Sequence, residues 1–294
     1  GSLISPYLVL TAAHCFYSGD DWDPAGYVDF NLYNRTDRAS SGTINMLIRD
    51  RTKNGDNIKI HPDFNRRNLE MDFALIVLDN PIGGIEPVAL NDDPDIPASS
   101  GDALFVAGWG YLREALPPFN ATFDFSRDVP DVPSYFEPSY LPNEECVGSD
   151  SGRWQSSLIT KNKLCTLGDV VDEEDAWDSD HNRKGFCRGD SGGPLVKITP
   201  NGDVQIGIVS FTDVCGHQTV PDVYARISSA YGWIKEWMEV TNPTAMPTKM
   251  PIEPTTAPSI KVRKRKNRKP RSKGEKNKVP KEEKEEGSMS VLFR

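Results

Sequence analysis

A serine flanked by glycines, Gly189-Asp190-Ser191-Gly192-Gly193-Pro194, sets a hydroxyl where backbone amides can converge on whatever it attacks. A serine hydroxyl is a weak nucleophile at neutral pH. It needs a base within hydrogen-bond reach, and the base needs a third group that fixes its tautomer. Both partners stand in the chain. Leu10-Thr11-Ala12-Ala13-His14-Cys15 offers the base, and Asp72 heads the apolar run Phe73-Ala74-Leu75-Ile76-Val77-Leu78, which predicts a buried strand. Each piece alone has a plain structural reading: a tight turn, a satisfied core histidine, a turn residue before a strand. Their joint occurrence in the order His, Asp, Ser points to nucleophilic acyl transfer.

That order resembles the trypsin-like serine proteases of the chymotrypsin family, and differs from the orders in subtilisin and the α/β-hydrolases. Other segments carry the resemblance further. Ser2-Leu3-Ile4-Ser5 leads into the histidine motif and His61-Pro62-Asp63-Phe64 precedes the aspartate. Gly108-Trp109-Gly110, Gly207-Ile208-Val209-Ser210-Phe211 and Pro221-Asp222-Val223-Tyr224 follow in family order, so that the likeness covers roughly residues 1 to 241.

The resemblance implies a serine endopeptidase acting on polypeptides, with Ser191 as nucleophile, His14 as base and Asp72 orienting His14. It implies an oxyanion hole from the backbone amides of Gly189 and Ser191. Position 189 suits glycine because the loop must turn its amide inward. By the same likeness Cys146 pairs with Cys165 and Cys187 with Cys215, and Asp190 is the partner of an α-amino group freed on activation. The family partner of Cys15 lies further upstream than the fourteen residues that precede it here. The chain is therefore expected to lack an amino-terminal segment of a longer precursor, to carry Cys15 as a free thiol and to be a zymogen fragment. A rival reading from another class is a catalytically silent homologue serving as a binding or regulatory module; such proteins usually lose a triad residue, and none is lost here.

Specificity is where the chain departs from the best-known pattern. The candidate substrate-binding residues are Gly185, Phe186, Ser210, Phe211, Thr212 and Asp222. Trypsins have an aspartate where Gly185 stands, while Asp222 occupies a position across the pocket that is usually glycine. Thr212 replaces a glycine at the pocket mouth and should narrow it. The expected reading is that Asp222 reaches the pocket floor from the opposite wall and gives a broad preference that includes Arg or Lys; the alternative is that it pairs with a neighbour and the pocket takes small apolar residues.

The positioning elements read as mostly β. Leu8 to Leu10, Ile44 to Ile48, Phe73 to Leu78, Ala103 to Ala107 and Val204 to Ser210 are short strands between Gly, Pro, Asn and Asp clusters. Ser228 to Val240 reads as a helix, with Ile234, Trp237 and Met238 at helical spacing. Periodicity alone leaves a sandwich and a pair of barrels equally open. The family likeness implies an all-β fold: two antiparallel six-stranded barrels of the chymotrypsin type, the first incomplete, then a C-terminal helix and a disordered tail.

Composition adds the setting. Of 294 residues 37% are hydrophobic, a fraction lowered by a polar tail, and no stretch approaches a membrane span. The apolar start lacks a basic leader, so it reads as a strand and not a signal peptide. Disulfides and the sequons Asn34-Arg35-Thr36 and Asn120-Ala121-Thr122 point to a secreted or extracellular protein. An acidic insertion between Gly168 and His181 reads either as a solvated loop or as a site for calcium or cationic substrates; it lacks the spaced glycine and terminal glutamate of an EF-hand. No cofactor and no metal centre are expected, and the protein is expected to be a monomer.

The domain reading is 1–241 for the protease and 242–294 for a Pro/Thr-rich linker and basic tail. Residues 242–294 hold 15 Lys and Arg against 6 Asp and Glu, out of 34 and 43 in the chain, leaving 19 against 37 in the rest. The overall charge of −9 thus conceals an acidic body and a basic tail too polar to fold alone. Anionic polysaccharides or other polyanions are the partners this tail suits, beside a purely passive role; no aromatic platform for nucleic acid is interleaved with it.

Overall fold

The computed structural model describes residues 1–39, 42–97, 99–112, 129–149, 152–172, 181–241 and 289–290. Most of the regular structure is antiparallel sheet, in two bodies built from successive parts of the chain.

The first body contains a four-stranded sheet in the order Ser2–Ser5, Leu8–Thr11, Ala74–Val77, Ile58–Ile60, and the hairpin partners Tyr27–Phe30 and Ile44–Leu47. Side chains of a strand alternate between faces. Val9 and Ile76 accordingly join one core with Leu3, Phe16, Val28, Phe30 and Ile58. Leu8, Leu10 and Leu75 point the other way, into a second core shared with Ile208, Ala230 and Ile234 of the second body. The same two strands therefore fill one half and bind it to the other.

Seven strands form the main path of the second sheet, in the order Ser134–Phe136, Leu104–Gly108, Pro194–Lys197, Val204–Phe211, Asp222–Arg226, Lys163–Leu167, Ser139–Leu141; Ala89–Leu90 runs parallel beside Val204 and Gln205. Leu104, Val106, Leu195, Ile206, Val209 and Tyr224 fill its interior. The chain then enters the helix Ile227–Thr241, which buries Ile227, Ala230 and Ile234 on one face. The helix extends one residue beyond each end of the span Ser228 to Val240 expected from sequence.

Two disulfides close loops of the second body, Cys146–Cys165 and Cys187–Cys215, while Cys15 is a free thiol. The expected disordered tail lies outside the described residues except Met289–Ser290, a two-residue strand paired in parallel with Val28 and Asp29.

Candidate active site

Strand register brings the base and the acid together. Thr11 lies opposite Ala74 and Leu10 opposite Leu75, so the residues after Thr11 and before Ala74 leave the sheet at the same end. His14 sits on the single 3-10 turn Ala13–Phe16 that follows, with Ala13 and Phe16 buried beneath it. Asp72 is fully buried. Its Oδ1 accepts the backbone N–H of His14 at 2.9 Å and its Oδ2 accepts Nδ1–H of the ring at 2.7 Å. A carboxylate can only accept here, so the neutral ring keeps its proton on Nδ1 and carries its lone pair on Nε2, which meets the Cys15 sulfur at 4.0 Å. Ser210 donates a third hydrogen bond, to Oδ2 at 2.6 Å.

Burial pulls the His14 pKa down, but the Asp72 charge, the Cys15 sulfur 4.0 Å from Nε2, and the hydrogen bonds to both outweigh it; the ring is held well above its ordinary value of 6.5.

Ser191 enters from the second body, just ahead of the strand Pro194–Lys197. Gly192 is locked by its N–H to Val209 O at 2.9 Å, and adopts φ +80° in the left-handed region. A side chain there would run into Thr11 and the backbone of Ala12, so only glycine lets the serine loop approach the histidine turn this closely. His14 and Ser191 line one open cleft of about 610 Å³, with Tyr17, Arg38, Trp109 and Gly189 on its walls.

Gly189 has φ +98°, and a Cβ would stand 3.1 Å from Gly110 Cα. The N–H groups of Gly189 and Ser191 donate to no acceptor among the described residues, as two free donors in an oxyanion hole would. The loop keeps its shape through the Asp190 N–H on Cys187 O at 3.0 Å and the Gly193 N–H on Asp190 O at 2.9 Å.

Asp190 borders both this cleft and a second cavity. Its carboxylate accepts the N–H of Gly110 at 2.8 Å and of Cys187 at 2.9 Å. Burial nevertheless raises its pKa, with the two N–H bonds acting the other way. The second cavity, of about 280 Å³, is lined by Val106, Gly108, Tyr111, Phe136 and Cys187.

The residues expected to bind substrate divide into two groups. Phe211 stacks edge-on against Trp154 at 5.3 Å and is partly exposed, as is Thr212, whose hydroxyl donates to Val214 O at 3.3 Å. Ser210, Phe186 and Asp222 are buried. Ser210 spends its hydroxyl on Asp72. Phe186 stands edge-on to Tyr224 at 5.3 Å, and its N–H donates to Asp222 Oδ2 at 3.2 Å. Gly185 adjoins the same carboxylate, since a Cβ on it would come within 3.1 Å of Oδ2. Burial pushes Asp222 up to about 8 despite the Phe186 N–H and the Thr212 hydroxyl. Asp222 is therefore not an open anion at the floor of a pocket.

The acidic insertion lies outside the described residues over 173–180; among the described residues no cluster of His, Cys, Asp and Glu could hold a metal, and no helix is long and apolar enough to cross a membrane.

The trypsin family model matches residues 1–234, and the chain belongs to that family. It is 28% identical to serine protease 28 of Mus musculus over 242 residues, covering 81% of this chain and 77% of that protein. It is 30% identical to trypsin-3 of Salmo salar over 240 residues, covering 81% and 82% of the two chains. A CLIP domain-containing serine protease B15 of Anopheles gambiae is 28% identical over 249 residues, 82% of this chain and 61% of the relative. The fold and the two disulfides are those of a trypsin-like serine protease.

Three features of the site carried no sequence signal. Ser210 was named as a substrate-binding candidate, but its tie to Asp72, which spans 138 positions, carried no signal. The positive φ of Leu69 and Met71 is hidden in residue types that rarely adopt it. Lys163 begins an unremarkable strand and is 1% exposed.

Proposed function

We propose that this protein is a serine endopeptidase that hydrolyses peptide bonds through an acyl-enzyme. The observation that carries the reading is the buried Asp72 bound to His14 Nδ1, with Nε2 and the Ser191 loop on one cleft. Ser191 Oγ attacks the substrate carbonyl carbon as His14 Nε2 takes its proton. The developing oxyanion lies against the N–H groups of Gly189 and Ser191, donors worth roughly 3 to 4 kcal/mol each in transition-state stabilisation. His14 then passes the proton to the leaving amine. Water enters, gives its proton to His14 as it attacks the ester, and His14 returns that proton to Ser191 Oγ as the acid product leaves. Asp72 holds the ring in one tautomer and stabilises the imidazolium without taking the proton.

The shielded Asp222 and the buried Phe186 favour a small uncharged side chain before the scissile bond. Asp190 and its adjoining cavity suit a chain end whose amino group meets the carboxylate, which would relieve the cost of its burial. The two disulfides support secretion. The catalytic unit is 1–241; the segment 242–294 is an appended basic tail suited to polyanions, and the enzyme works as a monomer. Ser191→Ala tests the reading. The variant should unfold at the temperature of the parent while losing peptide hydrolysis by 10³-fold or more on the order seen for triad removals; retained turnover would refute it.

A further inference from the structure

A buried cation sits between the two bodies where the peptidase mechanism has no use for one. Lys163 opens the strand Lys163–Leu167 and is 1% exposed. Its Nζ donates to Asn68 O at 2.5 Å and Leu158 O at 2.8 Å, and lies 3.8 Å from Glu70 Oε2 and 5.0 Å from the ring centre of Phe211. Glu70 also accepts from Thr160 Oγ1 at 3.0 Å and from Asn162 Nδ2 at 2.5 Å. Three side chains from 160–163 therefore grip one short segment of the opposite body.

That segment is under backbone strain. Leu69 has φ 51° and Met71 φ 49°, both in the left-handed region where a side chain is disfavoured. Such conformations persist only where the surroundings over-determine them. The next residue is Asp72, whose two oxygens must meet two different donors of His14 together. An aliphatic side chain would fill the Lys163 site at lower desolvation cost, as buried ions are often replaced without loss of stability. What hydrocarbon could not supply is the hydrogen bond that holds Asn68 and the charge that faces Glu70.

We propose that Lys163 is a positioning residue: by clamping the Asn68–Met71 segment from the second body, it sets the Asp72 carboxylate against His14. The inference rests on the triad reading. It is kept separate from that reading by following the ionisation of His14, which needs no turnover.

The groups that set this ionisation are Asp72 and Cys15, with Lys163 acting on Asp72 from behind. Removing the Lys163 charge with the geometry unchanged would raise the His14 pKa, because a nearby cation disfavours an imidazolium. Loosening the Asp72 contact would lower it. The two causes have opposite signs.

The test is an NMR titration of His14 in the full chain, its signal identified by loss in His14→Gln, for the parent, Lys163→Met and Thr160→Val. The last variant removes one of the three partners of Glu70, loosening the same clamp with no change of charge, and serves if Lys163→Met does not fold. A downward shift in a folded variant, with kcat lowered roughly tenfold and KM little changed, is expected for a small misplacement of a catalytic group. An unchanged or raised His14 pKa overturns the proposal. Covalent labelling of Ser191 in the parent by a fluorophosphonate reports separately on the triad: absent labelling refutes the peptidase reading, while the titration still decides the role of Lys163.

Discussion

Ser210 donates its hydroxyl to the same Asp72 oxygen that accepts Nδ1–H of His14, at 2.6 Å. A fully buried carboxylate is costly unless its lone pairs are occupied, and Asp72 has three donors on two oxygens. Hydrogen bonds to a charged group contribute about 1.5 to 3 kcal/mol. Ser210→Ala should therefore lower kcat/KM by about tenfold or more, since 1.4 kcal/mol is a factor of ten. Steady-state kinetics on a peptide substrate measure it, and an unchanged kcat would show that the third donor is dispensable.

The acid limb of the pH profile should lie above the ordinary histidine value, because His14 must be neutral to act as base and its pKa is raised. Asp72→Asn removes the charge that raises it, and should move the limb down while reducing kcat. The stability linked to this pair has a fixed sign. It is full below the unfolded value of 6.5 and is lost as pH rises through the higher folded value. A limb at or below 6.5 in kcat/KM against pH would contradict the assignment.

Asp222 gives an opposite-looking test with the same sign logic. Its folded pKa of about 8 exceeds the ordinary 3.8, so the folded state binds the extra proton between these values. The parent should lose about 1.4 kcal/mol of stability per pH unit across this window relative to Asp222→Asn, which keeps an acceptor for the Phe186 N–H. Urea unfolding at pH 4, 6 and 8 reads it; a stability difference that does not vary with pH would refute the burial argument.

The chain was legible in unequal measure. His14, Asp72 and Ser191 stand in local motifs, and Asp72 heads a continuous apolar run that reads as a buried strand, so these three positions were legible from sequence. Leu69, Met71 and Lys163 lie in segments that nothing local marks; Ser210 stands in a motif, but its tie to Asp72 reaches 138 positions along the chain. Asp222 shows the limit best. Its residue type suggested an anion facing substrate, and only its burial and the Phe186 N–H on Oδ2 show that the carboxylate is shielded.

Deleting 242–294 should leave hydrolysis of a small peptide nearly unchanged and weaken adsorption to a sulfated polysaccharide resin. The tail carries a net +9 against −18 in the rest of the chain, and exposed charges are screened within about 8 Å at physiological salt. Elution of the parent at a higher salt concentration than the truncated form is the expected result. Equal elution would remove the tail from polyanion binding.

The central claim is that Ser191 is a nucleophile activated by His14. It is tested most directly by exposing the protein to a fluorophosphonate and locating the adduct by peptide mass spectrometry. One phosphonate per chain on Ser191, lost in His14→Ala and in Ser191→Ala, is the predicted result, since an unactivated serine hydroxyl reacts poorly. No adduct on Ser191 in the folded protein, or equal labelling in His14→Ala, would contradict it.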